Sequence, residues 1–172
     1  MAEIVIRLAA NEDDVKAAQS LCHEWLDWHW QNYPPDWPRG DDHPMDPTRF
    51  KAIVETLSDL HARPRGGIVI AWVDEVPFGC VMYAQARPGV AEFNRMFVSP
   101  DGRGHGLGRK MLDHMFDRMV ADGYGQVFFY SAAFLSHARA MYEEAGFKAM
   151  PPPAGFPDTW RGKVYFMDRS LP

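Results

Sequence analysis

The segment Gly102-Arg103-Gly104-His105-Gly106-Leu107-Gly108 places four glycines within seven residues, with Arg109 and Lys110 directly behind them. From Met111 onward, Met111, Leu112, Met115, Phe116, Met119 and Val120 recur at the spacing of an amphipathic helix. A glycine-rich loop opening onto a helix suits an anion. The first N–H groups of the helix lack partners within it, the helix dipole presents a positive end, and glycines let the backbone come close. Two phosphate-binding fingerprints do not fit the spacing. G-x-G-x-x-G counted from Gly102 or Gly104 ends on Leu107 or Arg109, and a Walker loop needs Gly-Lys-Ser/Thr where Gly108 is followed by Arg109 and Lys110. What remains is Arg103-x-x-Gly106-x-Gly108 between a strand and a helix. A glycine turn bearing solvated cations is the alternative.

The longer segment "RMFVSPDGRGHGLGRKML" resembles the acetyl-CoA-binding motif of the GNAT superfamily of N-acetyltransferases. In that family a strand ending in Val-x-Pro leads into Arg/Gln-x-x-Gly-x-Gly and then a helix. "HARAMYEEAGF" resembles the second family signature, A-x-x-x-Y-x-x-x-G-F. The resemblance spans Ile4 to Leu171 and is strongest over Glu92 to Phe147. It implies that Arg103, Gly104, His105, Gly106, Leu107, Gly108 and Arg109 cradle the pyrophosphate of coenzyme A. It also implies that Met96, Phe97 and Val98 pair with the pantetheine arm, a backbone N–H there polarising the thioester carbonyl.

Acetyl transfer to an amine makes three demands. An ammonium of pKa about 10 must lose a proton, the developing oxyanion needs donors, and the leaving thiolate benefits from an acid. By resemblance, Tyr142 matches the tyrosine that serves as general acid in many family members, and a phenol of pKa about 10 is protonated at neutral pH. The alternative is a core tyrosine, since Ala138, Met141 and Ala145 are its helical neighbours. Glu92 occupies the position of the glutamate base in histone-acetylating members, and a carboxylate in a partly dry cleft is a better base than one in water. A substrate-positioning or ordinary strand glutamate is the equal alternative. One departure stands out: Leu135 replaces an Asn that often contacts the cofactor arm, leaving Ser136, His137 or Arg139 as substitutes.

The resemblance implies that the first two helices and the loop between them shape the acceptor pocket; here that segment is "CHEWLDWHWQNYPPDWPRGDDHPMD", which holds four of the six tryptophans. Aromatics with Asp36, Asp41, Asp42 and Asp46 would suit a cationic amine. The preferred reading is plainer: Trp25 and its neighbours belong to the core, and the aspartates solvate a loop. His23 and His29 lack the spacing of helical metal ligands, so no metal is expected.

These residues need elements to hold them. "EIVIRLA" reads as a strand, and Asn11 caps a helix through "HWQ" with acids in its first turn. Asp46-Pro47 opens a second helix, with Phe50, Ile53, Val54, Leu57 and Leu60 on one apolar face. "GGIVIAWV", "PFGCVMYAQA" and "AEFNRMFVSP" form an antiparallel meander with turns at Asp74-Glu75 and Arg87-Pro88-Gly89. "GQVFFYS" after the glycine-loop helix implies a parallel crossover. Ser136 caps a last helix that Gly146 stops, and "FKAM" and "KVYFMDR" are closing strands. The expected fold is α/β (α+β mixed): one GNAT-like domain over 1–172, with a central mixed antiparallel/parallel sheet flanked by about four helices.

Composition agrees with a single globular domain, at 172 residues, 47% hydrophobic and 24% charged. A formal net charge of -5 argues against nonspecific nucleic-acid binding. The start lacks a signal-peptide pattern, no apolar run is long enough for a membrane span, and Cys22 and Cys80 read as thiols in a reducing cytoplasm. The expected function is acetyl-CoA-dependent N-acetyltransfer to a small-molecule or peptide amine. Alternatives are a non-catalytic CoA-binding sensor, or an acyltransferase with another acyl group or acceptor. The aromatic loops would also suit a homodimer interface.

Overall fold

Apolar residues alternate along β2 (Gly67–Val73) and β3 (Val76–Arg87), and in the computed structural model, which describes residues 1–40 and 43–172, they divide between two sheet faces. Val69, Ala71, Val81 and Tyr83 face one core, while Ile68, Ile70, Cys80 and Met82 face another. Period-two alternation with both sets buried requires cover on both sides. Helix α1 (Glu12–Asn32) and α2 (Pro47–Val54) cover the second core through Ala18, Leu21, Cys22, Leu26, Phe50 and Val54. The first is covered by α4 (Leu107–Ala121), through Met111, Leu112, Met115, Phe116 and Met119, and by Tyr142 of α5 (Ser136–Glu144).

Seven strands make one sheet in the order β1-β2-β3-β4-β5-β7-β6. The remaining strands are β1 (Ile4–Leu8), β4 (Val90–Val98), β5 (Gln126–Ala132), β6 (Lys148–Met150) and β7 (Val164–Ser170). The β2-β3-β4 meander is antiparallel as expected, its first turn held by Asp74 and Glu75 at positive φ. The crossover through α4 makes β4 and β5 the parallel pair, and β7 inserts between β5 and β6, antiparallel to both.

Two helix starts, those of α1 and α2, carry side-chain caps. Asn11 accepts from the N–H of Asp14 and Asp46 from that of Arg49, with Pro47 in the first helical turn. At α5 the N-cap is Leu135, which makes no side-chain cap bond, so Ser136 is the first helical residue rather than the cap. The expected second helix is two helices. It breaks after Val54, where the Thr56 hydroxyl donates to the Ile53 carbonyl, and resumes as a single turn, α3 (Leu57–Leu60). Leu57 is therefore buried while Leu60 points outward. Cys22 and Cys80 are buried thiols in the second core and form no disulfide.

Candidate active site

Strand β4 pairs with β5 only at Val90↔Gln126, Ala91↔Val127 and Glu92↔Phe128. Beyond Glu92 the two strands part, while β5 continues to Ala132 against β7. The β5-facing edge of β4 from Phe93 to Val98 is left without a ladder partner, and backbone groups in a protein interior need one. A bulge accompanies the parting. Between the pairs Cys80↔Phe97 and Met82↔Asn94, β4 advances three residues while β3 advances two, and Arg95 sits there at φ +54. Positive φ is uncommon for a non-glycine residue, and a bulge adds one residue to one strand. The added residue reverses side-chain parity. Ala91 and Phe93 face the α4 core, but Phe97 faces the α1 core, and Met96 and Val98 turn to the α4 side.

The parted strands open into a cleft of about 810 Å³. Met96, Phe97, Val98, Arg103, Gly104, Gly106, Leu107, Gly108 and Tyr142 all line it. His105 is half-buried in the same loop and Arg109 is exposed on α4 in an ion pair with Asp113; neither is a wall residue. Gly106 is the N-cap of α4 in the left-handed region, φ +68, where a side chain is strained. At Gly108 a Cβ would lie 2.8 Å from Met141 Sδ and 3.4 Å from Met96 Cε, so close approach of α4, α5 and β4 favours glycine here. The opening turn of a fifteen-residue helix thus meets an unpaired strand edge in one cleft. That combination fits a ligand with an anionic end and an extended, amide-bearing arm.

Tyr142 is 3% exposed, its ring 4.4 Å from that of Phe129 and 5.7 Å from that of Phe93. Burial drives its phenol far above the ordinary range, so it is protonated at neutral pH. Glu92 lies half-buried at the point where the strands part, beside rather than in the cleft wall. Burial raises its carboxyl pKa, opposed by a hydrogen bond with Asn94 and the charge of Arg95.

The other end of the cleft holds Asn94, Arg95, Tyr130 and Phe134, which sequence reasoning did not select, with Trp28 and Asn32 from the α1 segment that the resemblance placed at the acceptor. Trp25 belongs to the core as expected, packing edge-on against Phe50, yet it also lines the cleft. Helix α1 is fastened to the end of β4 by the Ser99 hydroxyl, which donates to Glu24 Oε1 at 2.5 Å. Asp36 is exposed and Asp46 is spent on capping α2; Asp41 and Asp42 lie outside the described residues. Leu135 is a wall residue, and of its three candidate substitutes only His137 is one too. Arg139 instead pairs with Glu143 and stacks on Tyr165. Among the described residues no group of three or more His, Cys, Asp or Glu side chains is arranged to hold a metal.

A family model described as the acetyltransferase (GNAT) family matches residues 22–147. A mycothiol acetyltransferase of Thermobifida fusca (strain YX) is 34% identical over 93 residues, which are 52% of this chain but only 28% of that protein. Among solved structures, a GNAT-family acetyltransferase of Staphylococcus aureus Mu50 superposes with a TM-score of 0.74 at 16% identity, over 99% of this chain and 100% of that one. The PaiA N-acetyltransferase of Thermoplasma acidophilum, solved in complex with coenzyme A, gives a TM-score of 0.70 at 15% identity, over 98% and 99% of the two chains. A Salmonella typhimurium protein solved with its cofactor acetyl-CoA gives 0.66 at 19% identity, over 99% and 95%.

Proposed function

The chain belongs to the GNAT family of acetyltransferases, and we propose that it moves the acetyl group of acetyl-CoA directly to a primary amine of a small molecule or peptide in a ternary complex. The observation that carries this reading is the junction of the parted β4–β5 edge with the α4 N-terminus in one cleft. Acetyl-CoA supplies an activated acyl group and a thiolate leaving group. The first N–H groups of α4, with Arg103 and the backbone from Gly104 to Gly108, hold the phosphates; His105 and Arg109 flank them. The unpaired edge at Met96, Phe97 and Val98 bonds the extended arm and directs an N–H at the carbonyl oxygen. Tyr142 donates its phenolic proton to the departing sulfur. Glu92, directly or through a water, takes the proton of the incoming ammonium, and burial makes it the stronger base for that task.

We read residues 1–172 as one such domain. Two buried thiols that form no disulfide suit a reducing compartment such as the cytoplasm. No helix among the described residues is long and apolar enough to cross a membrane.

The test is acetyl-CoA-dependent thiol release across a panel of amines, with both substrates varied. Turnover on some amine with intersecting double-reciprocal lines supports direct transfer. Parallel lines would replace it with a covalent acyl-enzyme route. Cofactor binding with no turnover on any amine would reduce the chain to a CoA-binding module.

A further inference from the structure

Among the described residues the β4 bulge leaves Arg95 as a cation with no direct ion-pair partner. Its guanidinium donates to His61 Nε2 at 2.8 Å and to Met82 Sδ at 3.3 Å. The His61 tautomer follows from its other nitrogen, Nδ1, which lies 2.8 Å from the Tyr83 carbonyl oxygen and so must carry the proton. Burial holds the His61 pKa down to about 4, and the ring is neutral at pH 7. Both acceptors therefore orient the guanidinium without neutralising it. The other titratable groups near it are the buried thiols of Cys22 and Cys80, the phenol of Tyr130 and Glu92, of which the carboxylate is the one ordinarily charged at pH 7. Among the described residues Arg95 is in no ion pair, and Glu92 spends a hydrogen bond on Asn94 instead. A buried charge is costly unless paired, yet this one lines the cleft.

Position adds meaning to the missing partner. Arg95 directly precedes Met96, where the acyl group would lie, and the cleft around it is walled by Trp25, Trp28, Tyr130 and Phe134. Guanidinium is the side chain best shaped to take a carboxylate through two parallel hydrogen bonds. We propose that the acceptor is a short amino-carboxylate, of the α-amino acid class, whose carboxylate is received by Arg95 while its amine turns toward Glu92 and the strand opening. The aromatic walls would hold its side chain. This inference rests on the acetyltransferase reading above, and it makes Arg95 a specificity-determining residue.

The experiment compares thiol release by the full chain with a panel of apolar and aromatic α-amino acids and with their carboxamides. Each pair shares amine and side chain and differs in the carboxylate alone. Expected is a preference in kcat/KM of about tenfold to hundredfold for the acids, the range of a charge-assisted bidentate contact. Arg95→Met should collapse that ratio toward one, and Arg95→Lys should keep part of it. Affinity for acetyl-CoA, measured on each variant, reports that the fold persists. Equal efficiency for acids and carboxamides in the native protein overturns the inference and leaves the acetyltransferase reading standing. So does turnover confined to amines without a carboxylate. Failure of every amine with cofactor still bound removes the acetyltransferase reading, and the inference falls with it.

Discussion

In the proposed mechanism Tyr142 and Glu92 need opposite protonation states, and partial exclusion of water serves both. Burial keeps the phenol protonated and available as a donor to sulfur, and the same effect lifts the Glu92 carboxyl above the usual carboxylate range. Tyr142→Phe should therefore lower kcat while leaving acetyl-CoA affinity nearly intact, because the ring packing against Phe129 and Phe93 survives. Unchanged kcat would make the residue a packing tyrosine. Glu92 accepts a proton only when ionised, so kcat/KM should rise with pH through a pKa above the ordinary carboxylate value. In Glu92→Gln that rising limb should disappear; a limb that persists assigns the base elsewhere. Both residues could be chosen from the chain because each sits at a fixed offset from a motif. Arg95 could not, because its meaning comes from a register shift between two strands that spacing along one strand does not reveal.

At the scale of elements, helix α1 and the α3 turn each bury a histidine against their neighbours. His29 is 4% exposed among the rings of Trp30, Tyr33, His43 and Phe134, and among the described residues neither of its nitrogens has a hydrogen-bond partner. Burial first, and the charge of His43 second, hold its pKa to about 4; burial does the same for His61. The ordinary value is 6.5, so between these limits the unfolded chain binds more protons than the folded one. Stability present above pH 6.5 is thus lost as pH falls toward about 4. The midpoint of urea unfolding should drop across that window, and His29→Phe, which keeps a ring in the cluster, should flatten the drop. An equally steep drop in the variant would trace the acid sensitivity to other groups. The helix itself was legible from Asn11 and the apolar spacing. The break between α2 and α3 was not, since Leu57 and Leu60 continue a helical pattern that the Thr56 side chain interrupts.

Across the whole molecule, two cores on opposite faces of one sheet bring the α4 N-terminus and the aromatic face of α1 to the place where β4 and β5 part. The antiparallel meander and the parallel crossover were legible because strand, glycine loop, helix and strand follow one another with short connections; the insertion of β7 between β5 and β6 was not. At the end proposed for the acceptor, the sequence pointed to the α1 segment but preferred a core role for its tryptophans, for a tertiary reason. Trp25 and Trp28 fit an ordinary buried helix face, and the cleft they line opens where β4 and β5 part. The most direct measurement is a calorimetric titration of the native chain and of Gly106→Glu with acetyl-CoA, circular dichroism confirming that the variant is folded. Expected is binding at one site per chain that the variant loses, because the new side chain is strained at φ +68 and sets a negative charge at the α4 N-terminus. No binding to the native chain, or equal affinity in the variant, would contradict the assignment of this cleft to coenzyme A.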